Sequence, residues 1–305
     1  EFGYGFRLAL DGHAAGAAAL LRRLSARLGD ELVSALLAAD QRNEAGIAAQ
    51  RARVAILRQR LAAIDTPEAR RLESLADYLV RKSVWAVGGD GWAYDIGFGG
   101  VDHVIASGAD VNILVLDTEV YSNTGGQQSK ATPLGASARF AVAGKAQPKK
   151  DLALMAMTYG HVYVAQIACG ARDAHTVRTL LEADAFPGPS LVIAYSHCIA
   201  HGYELAVALD QQKLAVESAY WPLFRFDPRR TTEGRNPLVL DSPAPRVALG
   251  RYMSNEGRFR VVEQQDPERF RRLLAEAQRQ VRRRFALYEH LAKLPCPTGD
   301  SRPET

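Results

Sequence analysis

Two short stretches, each closing a strand-like run, constrain this chain more than anything else in it. Gly89-Asp90-Gly91 follows the run Val84-Trp85-Ala86-Val87. The segment Asp117-Thr118-Glu119-Val120-Tyr121-Ser122-Asn123-Thr124-Gly125-Gly126-Gln127 follows Val111-Asn112-Ile113-Leu114-Val115-Leu116. Thr118 lies 28 positions after Asp90 (118 − 90), room for one helix and one strand. Two parallel strands therefore end at one edge, where open α/β sheets bind their ligands. The first loop brings a carboxylate between two glycines. The second brings hydroxyls, an amide and a flexible backbone.

That donor set suits a hard cation and the phosphates it bridges. Magnesium takes about six oxygens at about 2.1 Å, usually one or two from carboxylates and the rest from phosphate and water. Asp90 is the candidate carboxylate, with the Thr118 hydroxyl and the Val120 carbonyl as further ligands. Gly89 and Gly91 are expected to let the backbone turn sharply and approach a ligand. A helix starting after Gly91 would aim free N–H groups at the phosphates. A lone Gly-Asp-Gly is a common turn, so the spacing of the two loops carries the argument.

The stretch Gly89-Asp90-Gly91-Trp92-Ala93-Tyr94-Asp95-Ile96-Gly97-Phe98-Gly99-Gly100 resembles the thiamine-diphosphate signature of pyruvate:ferredoxin (flavodoxin) oxidoreductases, and Leu116 to Gln127 resembles its second half. The general signature ends in an Asn pair where this chain has Thr118-Glu119, which fits the oxidoreductase branch. The resemblance runs from about Glu1 to about Arg258 and is weakest between 11 and 80. It implies magnesium ligation by Asp90, Thr118 and the Val120 carbonyl. It implies a place for Asn123 beside the substrate and the reactive ring, as the catalytic residue. It also implies a cofactor pocket lined by Gly89, Gly91, Trp92 and Asp95. Without it, Asp95 reads as an exposed helical carboxylate and Trp92 as a packing residue.

Cys198 follows another buried-type strand, within Ile193-Ala194-Tyr195-Ser196-His197-Cys198-Ile199-Ala200-His201-Gly202. A single cysteine is usually a small buried hydrophobe. The resemblance instead implies that Cys198 gives one ligand to a 4Fe–4S cluster, which needs four thiolates. By the same resemblance the other three would come from sequence before Glu1; this chain has no CxxC pair of its own. His197 and His201 read as turn or core polar residues rather than metal ligands. Cys169 and Cys296 have no assigned role. Three cysteines give no disulfide framework and suit a reducing cytoplasm.

Composition excludes several classes. The 305 residues, 47% hydrophobic and 24% charged, describe an ordinary globular protein. No apolar stretch approaches the roughly 20 residues that a membrane helix needs. The opening Glu1-Phe2-Gly3-Tyr4-Gly5-Phe6 lacks the pattern of a signal peptide and reads as the interior of a longer chain. The 38 basic and 34 acidic residues leave only +4. The late arginines (Arg269, Arg271, Arg272, Arg279, Arg282, Arg283 and Arg284) fit a solvated helix face, because no nucleic-acid module accompanies them.

The expected fold is α/β, a thiamine-diphosphate-binding fold. Its sheet is mostly parallel with helices on both faces, preceded by an N-terminal helical segment and followed by a C-terminal helix. Residues 1–82 form the helical segment, with two or three antiparallel helices broken near Gly29-Asp30 and Asp65-Thr66. Thr66-Pro67-Glu68 is a clear helix start. Residues 83–220 form the α/β core, with strands Val84–Val87, Val111–Leu116, His161–Cys169 and Ser190–Tyr195 and helices at Asp173–Ala185 and about Gly202–Ser218. Ala131–Pro148 reads as an active-site loop. Residues 221–294 form an extension whose Pro-rich segments are demoted to irregular or edge structure, ending in an amphipathic helix over 266–292. Residues 295–305 are expected to be a disordered tail.

By resemblance, the remaining domains of the same enzyme, ferredoxin or flavodoxin, pyruvate and coenzyme A are the partners of such a chain, and a homo-oligomer is expected. Two alternatives stay open. One is the same chemistry on another 2-oxo acid such as 2-oxoglutarate. The other is a non-catalytic assembly fragment.

Overall fold

The computed structural model describes residues 1–296, so most of the expected 295–305 tail lies outside the described residues. The chain divides into two compact units, Glu1–Val84 and the residues from Trp85 onward.

The first unit is all helical: α1 (Phe2–Arg23), α2 (Ser25–Leu28), α3 (Asp30–Leu37), α4 (Glu44–Leu61) and α5 (Pro67–Leu75), then a 3-10 turn at Ala76–Leu79. Leu21, Leu28, Leu57 and Leu72 are almost wholly buried in a core of its own. Thr66 caps α5 as expected, accepting from the Ala69 amide. The expectation of two or three helices is corrected to five. One missed break lies at 38–43, where Asp40 turns back onto Arg42 and Asn43 caps α4 by accepting from the Gly46 amide at 2.9 Å. Short polar side chains that bond local backbone compete with the helix they interrupt.

The second unit holds a six-stranded sheet in the order β1-β2-β4-β3-β5-β6. Its strands are β1 (Trp85–Gly89), β2 (Asn112–Asp117), β3 (Tyr163–Ile167), β4 (Ser190–Tyr195), β5 (Phe224–Phe226) and β6 (Leu238–Leu240). The first four are parallel and the last two antiparallel. The parallel strands carry apolar runs because both faces are covered: Val164, Leu191, Val192 and Ile193 are all fully buried. The crossovers contain α6 (Phe98–Ala106), α7 (Leu152–Met157) and α8 (Asp173–Asp184). The β1→β2 and β2→β3 steps run one way across the sheet and β3→β4 runs back. Right-handed crossovers then put α8 on the face opposite α6 and α7.

Beyond the sheet lie α9 (Ala208–Glu217), α10 (Leu249–Ser254), α11 (Gly257–Gln265) and α12 (Pro267–Lys293). The helix expected from Gly202 is shorter than that, since Gly202 takes a left-handed φ of 73° and Glu204 is extended. Both Pro-flanked segments form strands. Of these two, β6 is an edge strand and β5 pairs with both β3 and β6, with Pro222 and Pro228 falling just outside it.

Register fixes the site. Gly89 pairs with Leu116, and Asp117 with Tyr195. The residues following β1, β2 and β4 therefore emerge side by side at one edge. Truncating the fully buried Ile193 on β4 to Ala should cost about 2–5 kcal/mol. Urea unfolding should show it as a lowered midpoint with an unchanged slope.

Candidate functional site

Asp90 sits at the end of β1 and is only 1% exposed. It begins a single π-type turn, Gly91–Ile96, before α6. Its Oδ1 accepts from the Thr118 hydroxyl at 2.7 Å and from the Thr118 amide at 3.2 Å. Its Oδ2 accepts from the Ser129 hydroxyl at 2.7 Å. The Thr118 hydroxyl also lies 3.0 Å from the Val120 carbonyl. The three oxygens named from sequence as cation ligands thus converge. Burial pushes the Asp90 carboxyl above its ordinary range, although the hydroxyls of Thr118 and Ser129 and the charge of Lys149 pull it back. A buried carboxylate beside a hydroxyl and a carbonyl, all hard oxygens, fits magnesium.

Asn123 is exposed in the loop after β2. Gly89 and Gly91 do not adopt the left-handed φ expected of a sharp turn; in the second loop Gly125 and Gly126 do, at 105° and 90°. Gly91 serves close approach instead: a Cβ there would lie 2.5 Å from the Tyr121 ring, whereas one on Gly89 would point into open space. Trp92 is half-buried, and its indole fills the room left by Gly88 and Gly97. Asp95 accepts from the Lys130 amide at 3.0 Å and its ammonium at 2.9 Å. It therefore ties α6's approach to the loop that carries Ser129.

Cys198 follows β4 at the same edge. Its Sγ is buried, 3.2 Å from the Ser122 hydroxyl, next in sequence to Asn123. His197 bonds Tyr203 and Gln212, and His201 lies 2.7 Å from the Thr118 carbonyl. Both thus have the core polar surroundings expected of them. Burial and the nearby Arg258 lower His201 to about 4, which keeps the ring neutral.

A buried ionic network behind the two loops escaped sequence reasoning. Lys149 bridges Asp117 at 2.7 Å and Glu119 at 3.1 Å. Glu119 also accepts from Arg258 at 2.7 Å and from the Tyr220 hydroxyl at 2.7 and 2.8 Å. Arg258 in turn reaches Glu256 at 2.6 Å. Burial alone would raise Glu119, but Lys149 and Arg258 outweigh it and hold the carboxyl down at about 2. Burial, with help from Asp90 and Glu119, pushes Asp117 up to about 6 despite Lys149. Glu119 has a left-handed φ of 61°, a strained state for a side-chain-bearing residue. Its amide gives to Asp117 and its carbonyl accepts from the Thr132 hydroxyl, which hold it there. The one usable signal was Glu119 itself, a charged residue amid a loop of small polar ones.

Two outcomes follow. Glu119→Gln strips Lys149 and Arg258 of a shared anion in the interior, so it should cost about 3–5 kcal/mol in chemical unfolding. Asp117 behaves in the opposite sense from a usual paired carboxylate. The folded protein keeps a proton up to about pH 6 that the unfolded chain releases near the ordinary aspartate value of 3.8. Its contribution is therefore present below about pH 4 and lost as pH rises through 6. The stability of the metal-free protein relative to its Asp117→Asn variant should fall over that interval; a difference that stays flat would contradict the shift.

The thiamine pyrophosphate enzyme family, through its C-terminal TPP-binding domain, matches residues 74–194. The pyruvate-flavodoxin oxidoreductase of Rhodospirillum rubrum is 61% identical over 293 residues, covering 96% of this chain and 24% of that protein. The probable pyruvate-flavodoxin oxidoreductase of Escherichia coli K12 is 49% identical over 96% of this chain and 24% of its own length. The pyruvate:ferredoxin oxidoreductase of Moorella thermoacetica is 52% identical over 71% of this chain and 18% of its own length. The chain thus spans between about a fifth and a quarter of the length of these relatives. By these matches, the chain is similar to one part of the pyruvate-flavodoxin and pyruvate:ferredoxin oxidoreductases, and its residues 74–194 match the C-terminal TPP-binding domain of thiamine pyrophosphate enzymes.

Proposed function

We propose that this chain supplies the magnesium and diphosphate half of the active site of a pyruvate:ferredoxin/flavodoxin oxidoreductase. That enzyme would convert pyruvate and coenzyme A to acetyl-CoA and carbon dioxide, passing electrons through iron–sulfur clusters to ferredoxin or flavodoxin. The convergence of Asp90, Thr118 and Val120 beside a buried carboxylate carries the reading. When bound, thiamine diphosphate supplies the nucleophilic carbon and the electron sink that decarboxylation of a 2-oxo acid needs. The protein's part is position and field.

Asp90, the Thr118 hydroxyl and the Val120 carbonyl would hold magnesium on one side, leaving its other positions to phosphate and water. Gly89, with open space where a Cβ would stand, admits the cofactor close to the backbone. Gly91, Trp92 and Asp95 shape the turn that presents it. Asn123, exposed at the loop tip, would orient the substrate with its amide. Cys198, at the same edge, would give one thiolate to a 4Fe–4S cluster whose other ligands lie elsewhere in the enzyme. The free cysteines suit a reducing cytoplasm. The remaining domains, and a second copy of the enzyme in a homo-oligomer, would complete the assembly. No helix among the described residues is long and apolar enough to cross a membrane.

The test is anaerobic dye reduction by the full-length protein with pyruvate and coenzyme A, beside its Asp90→Asn variant. Removing the metal carboxylate should lower kcat/KM at least 100-fold, about 2.7 kcal/mol of transition-state stabilisation. Full activity in the variant would sink the metal assignment. Activity with 2-oxoglutarate but not pyruvate would move the substrate and leave the site in place.

A further inference from the structure

His201 and Arg258 share an unexplained feature. Both are buried, 0% and 5% exposed, and each has a ring or guanidinium nitrogen with no partner among the described residues: Nδ1 of His201 and Nη1 of Arg258. Buried polar atoms are rarely left so. Both residues line one cavity of about 170 Å³, walled also by Glu119, Val120, Gly126 and Thr132. The loop after β2, which carries Val120, forms part of its wall.

The chemistry of the two orphans selects what fills the space. His201 Nε2 is 2.7 Å from the Thr118 carbonyl, and only an N–H can bond a carbonyl. With its proton on Nε2, the neutral ring leaves Nδ1 a lone pair that needs a donor. Arg258 Nη1 is a donor that needs an acceptor. An anion would satisfy the arginine and leave the histidine unmet; a metal ion would do the reverse. Arg258 is, moreover, already paired with Glu119 and Glu256. Water both donates and accepts, and the cavity is roomy enough for several molecules.

We propose that this cavity is a built hydration site and that, through it, His201 is a positioning residue for the magnesium ligand Thr118. Water fixes the tautomer of the ring, and Nε2–H clamps the Thr118 carbonyl. The clamped peptide is the one leading into the left-handed Glu119, and the same residue's hydroxyl faces Asp90 and Val120. A partner that orients a metal ligand is worth about 10- to 100-fold in metal affinity. This inference rests on the magnesium site proposed above.

Magnesium-dependent binding of thiamine diphosphate to the full-length, metal-stripped protein tests it by calorimetry, without turnover. His201→Gln keeps a donor near the Nε2 position and should need no more than about threefold extra magnesium. His201→Met keeps the volume, loses the donor, and should need about 10- to 100-fold more. Wild-type magnesium dependence in His201→Met, or an equal loss in both variants, overturns the positioning role. Asp90→Asn serves as the separate control: if it binds normally, the magnesium reading fails and takes this inference with it. A high-resolution crystal structure of the unmodified protein needs no variant. Ordered water within hydrogen-bond reach of both Nδ1 and Nη1 supports the proposal; a dry cavity, or an ion in it, refutes it.

Discussion

The buried carboxylate of Glu119 is the point on which the site turns. It lies between Thr118 and Val120, whose oxygens face Asp90, while its own side chain runs the other way into Lys149, Arg258 and Tyr220. A left-handed backbone at that residue makes this division possible. Ion pairs of this kind do not add much net stability, because desolvation cancels most of the attraction. What they give is a single geometry: slipping the loop by one residue would take from Lys149 and Arg258 the anion they share and leave each with one partner, Asp117 and Glu256. The donor oxygens on the outer side inherit that precision.

Much of this was legible in the chain. The strands at 85–89, 112–117, 163–167 and 190–195 follow apolar β-rich runs, and β4 occupies the same residues as expected. The helix over Asp173–Asp184 follows from its period, and that over Pro267–Lys293 from its period and its Asp266 cap. Asp90, Thr118 and Val120 could be grouped in advance because parallel strands that pair in register must deliver their following residues to one edge.

The rest was hidden for physical reasons. Arg258 lies 139 positions from Glu119, so nothing local marks their pairing. Lys149 looks like half of a Lys-Lys surface pair, yet it is buried under the aromatic faces of Tyr94 and Trp221. The glycines of Gly89-Asp90-Gly91 suggested backbone freedom, when Gly91 is needed for the ring of Tyr121. A glycine that makes room for a neighbour and one that turns the chain look the same in a sequence. So do a helix and a helix interrupted by a polar cap, which is why five helices read as two or three before Leu79.

The seat of Trp92 constrains how this site can change over generations. Its indole lies where side chains would stand on Gly88 and Gly97; added Cβ atoms would fall 2.4 and 2.0 Å from ring carbons. A larger residue at either glycine is closed while the tryptophan stays. A smaller residue at 92 opens a void that both glycines are too small to fill. These three positions form a block that single steps cannot leave cheaply and that joint replacement could, a non-additive coupling of contacting residues. Change at the turn after β1 is thereby coupled across positions 88, 92 and 97.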